Sequence, residues 1–178
     1  MLRKISTVIT LFVFANSVQA QIFTMKTNAL MDCMMAPNVE LSLTTTGRTA
    51  ISASVFGTNK PWGKDIKLLG VSPMYKYWLG GRAMDGYYLG IGATYANYDI
   101  TWSRNIYNGE TAGVGLLFGY DVYLSKRVNL EFHAGCGAYY YRNHRYYVND
   151  EYTSRFYNEK GITIMPMNVG ITIGYIFN

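Results

Sequence analysis

Charge, histidine and cysteine are all scarce in this 178-residue chain. Only 15% of its residues are Asp, Glu, Lys or Arg, and it has two histidines and two cysteines. The formal charge of +5 falls to +3 when Arg3 and Lys4 are removed, too mild to argue for nucleic acid as a partner. His133 and His144 have no cluster of companion ligands in the sequence, so no metal and no other cofactor is expected. Cys33 and Cys136 either form one disulfide in an oxidising compartment or stay unpaired as packing residues. Beyond the N-terminus no apolar run is long enough for a transmembrane helix. The glycines recur at alternate positions of strand-like stretches rather than ahead of a helix, which excludes a phosphate-binding loop.

The N-terminus reads as a secretory signal peptide over residues 1–20. Arg3 and Lys4 supply a basic start, Val8 to Ala15 is largely apolar, and Val18-Gln19-Ala20 is a small-x-small cleavage site. The apolar run is short for a membrane anchor. Cys33 lies well past the cut and makes no lipid-modified terminus. Residues 21–178 remain, enough for one domain.

What the chain has in quantity is tyrosine (17) and glycine (18), with few helix formers in series. Seven segments alternate with period two: 38–44, 49–57, 66–79, 86–99, 110–124, 128 to about 146, and 161–177. One face is aliphatic and aromatic, as in Val169, Ile171, Ile173, Tyr175 and Phe177. The other is rich in Gly and small polar residues and carries Glu40, Lys76, Asp121, Glu131 and His133. A soluble barrel rarely turns so much Gly to water, whereas a transmembrane barrel fills a narrow interior with Gly, small polar residues and paired charges. Short connections at 44–48, 80–85 and 125–127 alternate with longer ones at 58–65, 100–109 and 142–160, the pattern of periplasmic turns and external loops. Both ends then lie on the periplasmic side, which requires an upward strand before residue 38. Phe23 to Met31 supplies it, with a tight turn at 32–37. The expectation is an all-β, eight-stranded, antiparallel up-and-down transmembrane barrel. Tyr75, Tyr77, Tyr87, Tyr123, Tyr175 and Phe177 fall near one end of the strands and Tyr95, Tyr98, Trp102, Tyr140 and Tyr141 near the other; those of lipid-facing parity would form two aromatic girdles.

The turn at 125–127 sets Asp121 opposite Glu131 and Gly119 opposite His133. Two carboxylates facing a narrow interior repel unless a cation joins them, and Lys76 is the expected partner. Glu40, Lys76, Asp121, Glu131 and His133 are therefore read as an ion network plugging the lumen. The catalytic alternative takes His133 as general base, oriented by Glu131 or Asp121, with Ser42 or Ser72 as nucleophile; nothing in the sequence brings these together. The 142–160 loop holds mixed charge and aromatics: Arg142, His144, Arg145, Tyr146, Tyr147, Tyr152, Arg155, Phe156 and Tyr157. That composition suits contact with a surface protein or glycan, or with anionic lipid headgroups.

Lys26-Thr27-Asn28, Pro37-Asn38, the V-x-P-x-x-K-Y-W stretch Val71 to Trp78, the Tyr88–Tyr98 strand and the closing G-I-T-I-G-Y-I-F run carry a resemblance over the whole mature chain. In that order they resemble the Bacteroidetes family known as domain of unknown function 3575. The resemblance implies a small outer-membrane barrel broadly similar to the membrane domain of OmpA, found in some cases near genes for surface fimbriae. It implies no activity, and no OmpA-like peptidoglycan-binding domain is expected. Barrel assembly signals commonly end in an aromatic, and Phe177 stands one position before the end. The expected function is non-enzymatic: a structural or surface-interaction barrel in the outer membrane of a Gram-negative bacterium, after cleavage near Ala20. Its expected partners are outer-membrane lipid, lipopolysaccharide and the barrel assembly machinery. A lipid hydrolase or acyltransferase, a narrow pore and a secreted soluble ligand-binding barrel are the alternatives.

Overall fold

The computed structural model describes residues 22–147 and 157–177; the expected signal peptide, residues 1–20, lies outside them. The strands are β1 (Phe23–Asn28), β2 (Asn38–Thr46), β3 (Thr49–Asn59), β4 (Ile66–Trp78), β5 (Gly86–Trp102), β6 (Asn105–Tyr123), β7 (Val128–Tyr147) and β8 (Glu159–Phe177). Each pairs antiparallel with its sequence neighbour, and β8 returns to β1, so the eight strands form a closed up-and-down barrel. Closure removes the sheet edges that would otherwise leave backbone groups unpaired.

Alternation sorts the side chains in reverse of a water-soluble core. Val39, Leu41, Val55, Leu69, Leu89, Ile91, Val114, Leu116, Ile171 and Ile173 are exposed on the outside. Lys26, Lys76, Glu40, Asp121 and Glu131 are buried inside. A continuous apolar exterior around a charged lumen is the arrangement of barrels that meet lipid. Aromatics cluster outside near the strand ends: Phe23, Tyr75, Tyr77, Tyr87, Tyr120, Tyr175 and Phe177 at one end, with Tyr95 and Tyr140 towards the other. Tyr87 packs on Tyr120, and Phe23 and Tyr175 pack on Phe177. Tyr98, Trp102, Tyr123 and Tyr141 do not have this outward parity; Tyr123 donates from its hydroxyl to the Ala83 carbonyl.

Eight strands leave an interior just wide enough for side chains. Glycine makes the room: a Cβ on Gly119 would run into the Tyr88 ring, and one on Gly170 into the Asn28 amide. One end of the lumen has an apolar floor. The connection after β4 folds back into the barrel, burying Ala83 and Met84 against Ala50, Trp78, Tyr88 and Ile176. The Ala83 N–H donates to the Gly47 carbonyl at 2.7 Å, locking this connection to the β2–β3 turn. The sequence expectation was only a short turn there.

Four features differ from expectation, three strand boundaries and one bulge. β1 stops at Asn28 rather than Met31, because the Asn28 side chain accepts from the Leu30 and Met31 N–H groups and starts a short helix, α1 (Ala29–Cys33), in place of a tight turn. Residues 100–109 are not a long loop. Ser103 and Arg104 both take positive φ (48° and 71°) and join β5 to β6 as a two-residue hairpin. Pairing also continues into the expected 142–160 loop, with Arg142 opposite Lys160. Finally, β8 contains a bulge at Asn168 (φ 48°) where its register against β7 shifts. The bulge reverses parity, so Ile162 and Ile164 face outward above it and Ile171 and Ile173 below it.

Strand lengths make the wall uneven. β1 has 6 residues and β7 has 20, while their ends nearest the apolar floor are level. About 9–11 residues suffice to cross a bilayer as a tilted strand. The far halves of β6 and β7 therefore project beyond the apolar belt.

Candidate functional site

Lumen charges gather at one level. The hairpin places Asp121 opposite Glu131 and Gly119 opposite His133, as the short turn requires. Glu131 is the hub. It accepts from Lys26 Nζ at 2.6 Å, Lys76 Nζ at 2.6 Å and the Tyr88 hydroxyl at 2.5 Å. Lys76 also donates to Glu40 at 2.9 Å and lies 5.3 Å from the centre of the Tyr88 ring. These side chains are 0–5% exposed, so their attraction is little screened by water, and each must be matched to offset its desolvation.

Two parts of the arrangement depart from expectation. Lys76 does not bridge Asp121 and Glu131. Asp121 is held instead by neutral donors, Trp78 Nε1 at 2.9 Å and Asn129 Nδ2 at 3.0 Å. The second cation is Lys26, which the sequence reading did not place in the lumen. Its signal was the Thr24–Lys26–Asn28 alternation, short and interrupted by the helix that follows. His133 sits 3.6 Å from Glu131 through Nδ1 and 3.5 Å from Asn28 Nδ2 through Nε2, its side chain 1% exposed. Among the described residues no hydroxyl is a hydrogen-bond partner of His133, and its side chain is sealed in the lumen, which overturns the catalytic reading of His133 with Ser42 or Ser72. Above the cluster the lumen widens into a cavity of about 240 Å³, lined in part by Glu40, Asn38, Ser72, Thr94 and Tyr139.

A second group lies on the projecting wall, above the Tyr95–Tyr140 level. Arg142 pairs with Glu110 and stacks over Tyr157 at 5.1 Å. Glu110 also accepts from the Tyr95 hydroxyl at 2.5 Å; that bond first, and Arg142 with it, holds the Glu110 carboxyl below the usual carboxylate range. His144 packs on Tyr157 at 4.7 Å. Arg145 lies over Tyr107 at 5.5 Å, 3.9 Å from Glu159, and its backbone exchanges two 2.8 Å hydrogen bonds with the Asn158 side chain. Tyr146 and Tyr147 end β7, with Tyr147 exposed. Tyr152, Arg155 and Phe156 lie outside the described residues. Together the described members form a braced rim of arginine and aromatic faces, the chemistry of polar contact surfaces.

Cys33 and Cys136 are unpaired and exposed, one at the end of α1 and one on the outer face of β7. Among the described residues no group of three or more His, Cys, Asp or Glu is placed to hold a metal, and no helix is long and apolar enough to cross a membrane.

Residues 6–177 match the family described as Protein of unknown function (DUF3575), and the chain belongs to it. No curated protein matches. Among solved structures, Neisserial surface protein A (NspA) is similar at 12% identity and a TM-score of 0.43, over 88% of this chain and 93% of that one.

Proposed function

We propose that the chain is a non-enzymatic outer-membrane barrel of a Gram-negative bacterium, of the Bacteroidetes type its sequence resembles, that braces the envelope or presents its outer rim to a surface protein or glycan. Residues 1–20 act as the signal peptide, cut near Ala20, and the barrel assembly machinery inserts the rest among outer-membrane lipid and lipopolysaccharide. The observation that carries this reading is the wall itself: a closed barrel, apolar and aromatic outside, charged inside. In water such a wall would leave dozens of apolar side chains exposed; in lipid each is satisfied.

The interior argues against transport. The Lys26–Glu131–Lys76–Glu40 chain crosses the lumen, and Trp78, Tyr88 and Met84 close it below. Cell fractionation with a heated-versus-unheated gel tests the proposal. The mature chain should enter the outer-membrane fraction and change mobility on boiling. Recovery of the mature chain as a soluble species without detergent would defeat it.

A further inference from the structure

We infer that the turn end of the barrel carries a basic collar that binds the phosphate of anionic phospholipid headgroups in the leaflet it meets; the inference rests on the membrane reading above. Three connections close this end: 47–48, 79–85 and 124–127. They carry Arg48, Arg82, Lys126 and Arg127, all exposed, against a single carboxylate, Asp85. Among the described residues none of these four cations forms an ion pair. The opposite end differs: there Lys60 pairs with Asp65, Arg142 with Glu110 and Arg145 with Glu159. The outer rim also carries Lys64, Lys67, Arg104 and Lys160 outside these pairs, but it sets five described carboxylates, Asp32, Asp65, Asp99, Glu110 and Glu159, among its cations, where the collar has Asp85 alone.

The collar is preorganised. The Trp78 N–H donates to the Arg48 carbonyl at 2.8 Å, and the Ile176 N–H to the Arg127 carbonyl at 2.8 Å, so both arginine backbones are pinned to neighbouring strands. Its depth suits a headgroup. Thr49, next to Arg48, is opposite the outward Tyr77, and Val128, next to Arg127, is opposite the outward Tyr175. Arg127 Nη1 donates to the Tyr175 hydroxyl at 3.3 Å. Interfacial tyrosines mark the headgroup level, and one or two strand residues beyond them is about 3–7 Å. Connections this short project little further, which favours lipid over a separate layer of polymer or a distant protein. Arg82 lies over the Tyr123 ring at 5.3 Å, towards the barrel axis, so Arg48, Lys126 and Arg127 are the headgroup contacts.

The test reconstitutes the mature barrel in phosphatidylcholine vesicles holding spin-labelled phosphatidylglycerol or spin-labelled phosphatidylcholine. Electron paramagnetic resonance reads the lipid fraction immobilised on the protein, and a heat-shifted gel band reports insertion in each sample. At low salt the wild type should prefer phosphatidylglycerol by roughly fivefold or more, the factor one headgroup-level cation supplies. The preference should fall towards one in R48Q/K126Q/R127Q and persist in K60Q/K64Q/K67Q. No preference in the wild type, an unchanged preference in the collar variant, or its loss in the outer variant alone would overturn the inference while leaving the membrane reading intact. A barrel that never inserts would overturn both.

Discussion

Glu131→Gln is the most informative single change in this molecule, because it removes one charge and leaves two behind. Glu131 accepts from Lys26, Lys76 and Tyr88 within 2.5–2.6 Å. Lys76 would keep Glu40 at 2.9 Å. Lys26 would keep no carboxylate within ion-pair distance among the described residues, while only 2% exposed. Breaking a buried pair from one side costs about 3–5 kcal/mol, chiefly through the stranded ion. That is a large share of a typical total of about 5–15 kcal/mol. Adding Lys26→Met removes the stranded ion, so K26M/E131Q should be more stable than E131Q alone, with a coupling of about 0.5–3 kcal/mol. Arg142→Ala, which breaks the half-exposed outer pair with Glu110, should cost far less than E131Q, because water screens that pair. Urea titration in vesicles, followed by the heat-shifted band, measures all of these. An E131Q loss below about 1 kcal/mol, or a double variant whose loss is the simple sum of its singles, would refute the reasoning.

Lumen glycines should resist enlargement. Gly119→Val drives a side chain into the Tyr88 ring and should cost about 1–3 kcal/mol, whereas Gly47→Ala, with nothing within 4 Å, should be near neutral in the same titration. The two cysteines report topology. A membrane-impermeant maleimide added to intact cells should label Cys33 at the outer rim and spare Cys136 in the apolar belt; labelling Cys136 in a folded barrel would place that strand in water. Planar bilayers with the wild type should show no steady open channel, and regular conductance steps would contradict the floor built from Trp78, Met84 and Tyr88. Lowering the pH should weaken the outer rim below the ordinary carboxylate range. The Glu110 carboxyl is depressed in the folded chain, so its stabilising share is present above the unfolded value and lost as pH falls through the lower folded one. Stability of E110Q that follows pH as steeply as the wild type there would argue against it.

The wall was legible because alternation repeats. Each of β2 to β7 shows period-two hydrophobicity over enough residues that its two faces can be read without a partner. What was lost has a common cause: features that interrupt the period. β1 has six residues before Asn28 turns the chain into α1, so Lys26 had too little alternation around it to be assigned a face. The bulge at Asn168 reverses parity within one strand, and a period-two reading continued through it would put Ile162 and Ile164 in the lumen. Ser103 and Arg104 form a tight hairpin without glycine, so polarity alone made 100–109 look like a loop. Met84 is an apolar residue in a turn, and only the fold-back of its connection shows that it faces the lumen.

The lumen charges follow from the same inversion that defines the wall. A soluble domain gains most of its cohesion by moving apolar area out of water into one core. Here the apolar residues face outward, and the enclosed volume is left to polar side chains. Their cohesion has to come from matched hydrogen bonds and ion pairs, which fix one arrangement because any slip strands a charge. Lys26 from β1, Glu40 from β2, Lys76 from β4, Tyr88 from β5 and Glu131 from β7 tie five of the eight strands across the axis. The first and the seventh strands are among those joined, and β8, between them, pairs with both. The cluster thus braces the closing seam, where the shortest strand meets the end of the chain. With the lumen committed in this way to holding the ring together, the proposed contacts with surface partners and lipid headgroups fall to the two rims, the braced arginine–aromatic group above and the basic collar below.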